Sequence, residues 1–212
     1  MVYSVMKSTI VAHYMHWVNE HESEPKSVFK FCQDATFSES EFYESFSDLS
    51  AVKEDVLAHL WEDTLRPLSE QDFYLEATPN EKLLSAMYGF VETLKSNRSY
   101  LVQAFKGWNN PGDTVRGLGN WRKAFVSYLS TIGIEGVQTG FDMLDAKSDV
   151  LNHHALFSNA VFVFHYWLND RSKGFEKTDA CIEKSFTLSL ELMQSHSLKK
   201  AIDLGKFLFQ SR

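Results

Sequence analysis

His13, His16 and Glu20 stand at i, i+3 and i+7, and a helix through them places all three on one face. Imidazole nitrogens and a carboxylate oxygen are zinc donors, but a structural zinc site closes with four ligands and nothing nearby supplies the rest. These residues therefore read as a polar helix face. His153 and His154 are adjacent, so a helix turns them about 100° apart. Cys32 and Cys181 stand far apart with no metal-binding or redox spacing, and read as small apolar side chains. No serine, cysteine or carboxylate pair has a catalytic spacing, and Gly117-Leu118-Gly119 is too short to cradle a phosphate. The expectation is of no catalytic residue, no metal and no cofactor, and so not of an enzyme.

The bulk properties narrow the class further. A formal charge of -7 disfavours general attraction to nucleic acid, which needs cations against phosphates. The longest apolar stretch, Ala155 to Leu168, is interrupted by Ser158, Asn159 and His165 and falls short of the ~18–20 residues of a membrane span. With no secretory leader before the first helix, the expected location is cytoplasmic, with both thiols reduced.

The elements that position these residues are helices throughout, since no segment alternates with period two. Met6, Ile10, Tyr14, Trp17 and Val18 recur at helical spacing over about Tyr3 to Glu20. Pro25 suits the first turn of a second helix burying Val28, Phe29, Phe31 and Cys32 and ending near Ala35. Ser38 and Glu41 form an S-x-x-E capping box opening a third helix. A fourth spans about Ser50 to Leu65 and is closed by Pro67. Thr78-Pro79 opens a long helix to about Phe105, and Asn109 to Gly119 reads as a loop. Further helices are expected over Asn120 to Ile132, Ile134 to Leu144, Val150 to Asn169, Thr178 to Gln194 and Leu198 to Gln210.

Residues 27–57, SVFKFCQDATFSESEFYESFSDLSAVKEDVL, combine a short helix, a tight turn and a serine-capped second short helix, the layout of a helix-turn-helix. Ser27-Val28, Ala35, Phe37-Ser38, Phe42-Tyr43 and Phe46 fall in register with the N-terminal pattern of the TetR family of ligand-responsive repressors, which this segment resembles. His165 to Met193 is similar to the C-terminal helices of a divergent branch of that family. The resemblance implies an all-α fold, with a three-helix helix-turn-helix unit over residues 1–50 and an antiparallel helical bundle for ligand binding and dimerisation over 51–212. It also implies Lys26, Lys30, Ser38, Ser40 and Tyr43 as DNA contacts.

Two positions depart from the pattern. Thr36 replaces a turn glycine, a position that commonly needs positive φ. Leu49 replaces a lysine that contacts the DNA backbone. Between Glu24 and Asp48 six acids face two lysines, a net charge of -4. One carboxylate can read a cytosine amine, but several beside phosphates repel them. Weakened or lost DNA binding is the expectation. The alternatives are a working ligand-responsive repressor and a lipid- or isoprenoid-binding accessory protein.

The resemblance further implies an apolar site in the bundle for a hydrophobic small molecule or lipid. Tyr88, Phe105, Trp108, Trp121, Phe125, Tyr128 and Phe164 are the candidate lining, with Trp108 and Trp121 at its mouth; plain core packing is the competing reading for each. It implies a homodimer as well. Ile182, Phe186, Leu190 and Met193 form an apolar stripe, joined by Phe162 and Trp167, that serves either as dimer interface or as core within one chain.

Overall fold

The structure, a computed structural model, describes residues 2–108, 118–134 and 142–194, and all regular structure among them is helical. The helix α1 (Val2–His21) buries Ile10, Val11, Tyr14 and Val18 at the expected spacing. It ends where the His21 ring stacks on Trp17 and Glu22 turns to φ 50°, the left-handed conformation that commonly ends a helix.

Two seven-residue helices follow, α2 (Val28–Asp34) and α3 (Glu39–Ser45). Pro25 lies buried in the preceding turn and not inside α2, because the Ser27 hydroxyl caps that helix by accepting from the Lys30 amide at 3.3 Å. Phe31 and Cys32 are buried as expected, whereas Phe29 is 60% exposed. Position 29 lies about 200° round the helix from Phe31, so the two rings cannot share its buried face. Ser38 and Glu41 form the full capping box at the start of α3. Thr36 does not take positive φ, so the turn between α2 and α3 runs without the glycine that the family pattern places there.

The helix α4 (Leu49–Leu68) is capped by Asp48, whose carboxylate accepts from the Ala51 amide at 2.8 Å. It continues through Pro67 in its last turn, where Ser69 N–H still reaches Leu65 C=O at 2.9 Å. A short α5 (Asp72–Glu76) without a side-chain cap, unforeseen from periodicity, precedes α6 (Pro79–Ser96). The long helix expected to reach Phe105 breaks at Asn97. Its side-chain amide donates to Thr93 C=O at 2.9 Å, taking the acceptor that its own backbone N–H would use in an α-helix; that N–H turns to Leu94 C=O instead. The chain resumes as α7 (Arg98–Ala104).

Then come α8 (Gly119–Thr131), α9 (Asp142–Asn169) and α10 (Glu176–Gln194), the last two joined by a tight turn that includes a 3₁₀ segment, Lys173–Phe175. Most of the expected Asn109–Gly119 loop, most of the expected Ile134–Leu144 helix and all of Leu198–Gln210 lie outside the described residues.

The described residues form two compact units: those of Met1–Glu70 with Gly89–Phe125, and those of Gln71–Tyr88 with Val126–Arg212. In the first, the fully buried Trp61, Phe90, Trp121 and Phe125 build an aromatic core. Trp61 lies 5.2 Å from Phe90 and 5.1 Å from Phe125, and Trp121 lies 5.2 Å from Phe90, measured between ring centroids. Nearby, α4 meets α6 at a hydroxyl pair, Thr64 and Thr93, 2.7 Å apart. A side chain on Gly89 would come within 3.1 Å of the Thr64 methyl, so the helices approach through the missing Cβ.

In the second unit Tyr128 donates to Lys82 C=O at 2.8 Å, which leaves its oxygen to accept from the Tyr74 hydroxyl at 2.7 Å. Asp170 anchors the α9–α10 turn. It accepts from Ser172 N–H at 2.8 Å, Thr178 N–H at 3.0 Å and the Thr178 hydroxyl at 2.7 Å. Burial alone would raise the Asp170 carboxyl, but the hydrogen bonds from Ser172 and Thr178 together outweigh it and hold it below the usual carboxylate range.

Two stability predictions follow from these contacts. Trp121→Ala removes a fully buried indole and is expected to lower unfolding free energy by about 3–5 kcal/mol in urea denaturation. Thr178→Val removes one hydrogen bond to a buried carboxylate and is expected to cost about 1–3 kcal/mol. The Asp170 contribution has a defined pH window: it is present above the unfolded value of about 3.9 and lost as pH falls through the lower folded value.

Candidate functional site

The helix-turn-helix is held from the inside by rings. Phe31 and Phe42, both fully buried, meet edge-on at 6.0 Å, with Phe37 5.7 Å and Tyr14 6.2 Å from Phe31. Of the apolar residues in the family register, Phe37, Phe42 and Phe46 are buried, whereas Tyr43 is 55% exposed.

Lys26, Lys30, Ser40 and Tyr43 are solvent-exposed, as a surface role requires. Ser38 is exposed too, but its hydroxyl is engaged. It donates to the Glu41 carboxylate at 2.8 Å and accepts from the Glu41 amide at 3.3 Å. The Ser38 amide also donates to that carboxylate, at 2.7 Å. Both Ser38 groups, the backbone bond first, hold Glu41 below the usual carboxylate range. A helix N-terminus normally offers its amides and positive dipole end to a phosphate. Here a carboxylate already occupies it. Beyond Glu41, α3 contains Glu39 and Glu44 and no lysine or arginine. The next cation along the chain, Lys53, contacts Glu24 at 2.5 Å.

The histidines of α1 do not converge. His13 Nε2 lies 3.6 Å from Asp34, while His16 Nε2 lies 3.3 Å from Glu20. The His13 ring packs 4.9 Å from Phe31, and burial lowers its pKa against the opposing pull of Asp34. His153 Nε2 contacts Ile134 C=O at 2.8 Å. Among the described residues, no group of three or more His, Cys, Asp or Glu side chains could hold a metal ion. Burial raises both thiols, Cys32 and Cys181, above their ordinary value.

The seven aromatic candidates of the bundle are shared between the two units. Trp121 and Phe125 belong to the aromatic core of the first unit, where both are fully buried. Phe105 and Trp108 pair at 5.4 Å and are half-buried. Tyr128 and Phe164 are buried in the second unit, and Tyr88 there is half-buried. Burial, then the charges of Glu183 and Asp179, raise the Tyr88 phenol.

Of the six interface candidates, Trp167, Ile182, Phe186 and Leu190 are buried within the single chain. Met193 is half-buried, and Phe162 is 51% exposed. The outward faces of α9 and α10 carry other apolar residues that inspection of the inward stripe misses. Leu151, Ala155 and Phe162 share one face of α9, interrupted by the polar Ser158, and Leu188 and Leu192 lie one turn apart on α10. Asn159 donates to the Ser189 hydroxyl at 3.2 Å, tying the helices side by side. From that bond the exposed stripe on each helix lies on the side turned away from the core.

No described helix is long and apolar enough to cross a membrane. A comparison with curated proteins gives no match. The fold is similar to that of a putative TetR-family transcriptional regulator from Syntrophomonas wolfei, with TM-score 0.56 and 14% identity, over 91% of this chain and 97% of that one. Residues 82–208 match the family model described as the tetracyclin repressor-like C-terminal domain. With most of the chain covered by that match, and the helix-turn-helix in place before it, this protein belongs to the TetR family.

Proposed function

We propose that this chain is a homodimeric TetR-fold protein whose helix-turn-helix has weakened or lost affinity for DNA, and whose bundle takes a hydrophobic small molecule or lipid. The observation that carries the reading is α3: three glutamates, no cation, and an N-terminus already bound by the Glu41 carboxylate. Phosphate contacts supply most non-specific affinity and set the register of specific binding, and only Lys26, Lys30, Ser40 and Tyr43 remain to make them.

Fluorescence anisotropy with random duplex and with the DNA upstream of the gene tests this. Neither is expected to saturate even at about 50 mM salt, where phosphate contacts are strongest. A Glu39→Lys/Glu44→Lys variant is expected to gain salt-dependent binding, with a log–log slope of about -2 for two added phosphate contacts. Tight binding of the unmodified protein to the upstream duplex, well above random DNA, would instead make it a working repressor.

Dimerisation is supported by the outward apolar stripe of α9 and α10, which suits a self-complementary two-fold contact. Light scattering on a sizing column is expected to give twice the chain mass. Phe162→Glu and Leu188→Glu are expected to halve it while leaving the helical circular dichroism intact. A monomer before substitution sinks the dimer. The bundle ligand is supported by family membership.

A further inference from the structure

A cleft of about 170 Å³ opens in the first unit where the end of α1, the linker before α2, the first half of α4, and α7 come together. Through Tyr14 it borders the ring cluster of the helix-turn-helix. Its inner wall includes Tyr14 from α1 and Tyr100 from α7, which are 1% and 2% exposed with ring centroids 6.3 Å apart. Neither phenol has a hydrogen-bond partner among the described residues. Neither is among the enclosed polar atoms left without a partner, so both oxygens stay accessible, and water or a bound group can meet them.

The rim is charged. Glu22 and Glu24 come from the linker, and Lys53 from α4. Lys53 is already held by Glu24, so the net charge of this rim is negative. After burial, the charge of Glu24 helps to raise both phenols. Val18 and Ala104 add apolar wall. Carboxylates at the mouth, phenol oxygens within and alkyl surface between are complementary to a compact organic cation.

We infer that this cleft binds a small organic amine in its ammonium form, the ammonium donating to Glu24 and to the phenol oxygens of Tyr14 and Tyr100. An occupant would touch the linker, α4 and α7 at once, so it would join the helix-turn-helix to the helix that supports it. An anion is disfavoured by the rim, and a neutral diol would meet the phenols without using the carboxylates.

Three four-carbon probes separate these classes: 1,4-diaminobutane, butane-1,4-diol and succinate, each titrated by calorimetry into the full chain. The diamine is expected to bind saturably, at least about tenfold more tightly than either of the others, since its charged hydrogen bonds are the stronger ones. Glu24→Gln, and separately Tyr14→Phe with Tyr100→Phe, are expected to weaken it by about tenfold or more. The phenylalanine variants keep both rings in the core, and unchanged thermal unfolding checks their fold. Equal binding of the diol, tighter binding of succinate, or no heat from the diamine overturns the inference; the last outcome leaves a water-filled cleft. Diamine binding that survives all the substitutions places the amine elsewhere and overturns it as well.

Discussion

Helices of seven residues do not persist in water, because nucleation costs more than one or two turns of hydrogen bonds return. Two such helices, α2 and α3, form the helix-turn-helix here, and their existence depends on burying Phe31 and Phe42 edge-on beneath Tyr14. That burial decides which side of each short helix faces outward. It turns Phe29 and Tyr43 to solvent and leaves polar positions to make the surface. Everything this module can offer a partner is what the ring cluster leaves over.

What it leaves is acidic, and the same acids have structural duties. Glu41 closes a capping box, Asp48 caps α4, Glu24 holds Lys53, and Asp34 faces His13. Carboxylates suit helix N-termini because they satisfy free amides and oppose the helix dipole. In a nucleic-acid reader those amides and that dipole end are also phosphate-binding assets. Here the demand of short helices for caps competes directly with the demand of DNA for positive charge.

Signals local in sequence were legible: the periodicity of α1, the Ser38–Glu41 and Thr78-Pro79 starts, the burial of Phe31, and the register of Phe42 and Phe46. These depend on contacts within a few residues and on helical spacing. Asn97 shows where that reasoning runs out. Its effect depends on a side chain outcompeting its own backbone for one carbonyl, and nothing in apolar spacing reports such competition. The candidate sites were less legible for a related reason. Ile182 and Phe186 form the stripe that periodicity finds, but a stripe does not state whether it faces its own chain or a second one. Tyr14 and Tyr100 are 86 residues apart, and only the fold reveals that they share a cleft.

The junction of Thr64 with Gly89 and Thr93 has a mechanical meaning. With no side chain on Gly89 and the two hydroxyls in contact, α4 and α6 touch too closely there to slide past one another. The point acts as a fulcrum. From Thr64 to Asp48 the helix runs about 24 Å, so a tilt of about 5° at that point would displace its first turn by about 2 Å, against the packing of Val52 and Val56. Any rotation near the aromatic core would thereby be enlarged at the end that leads into α3.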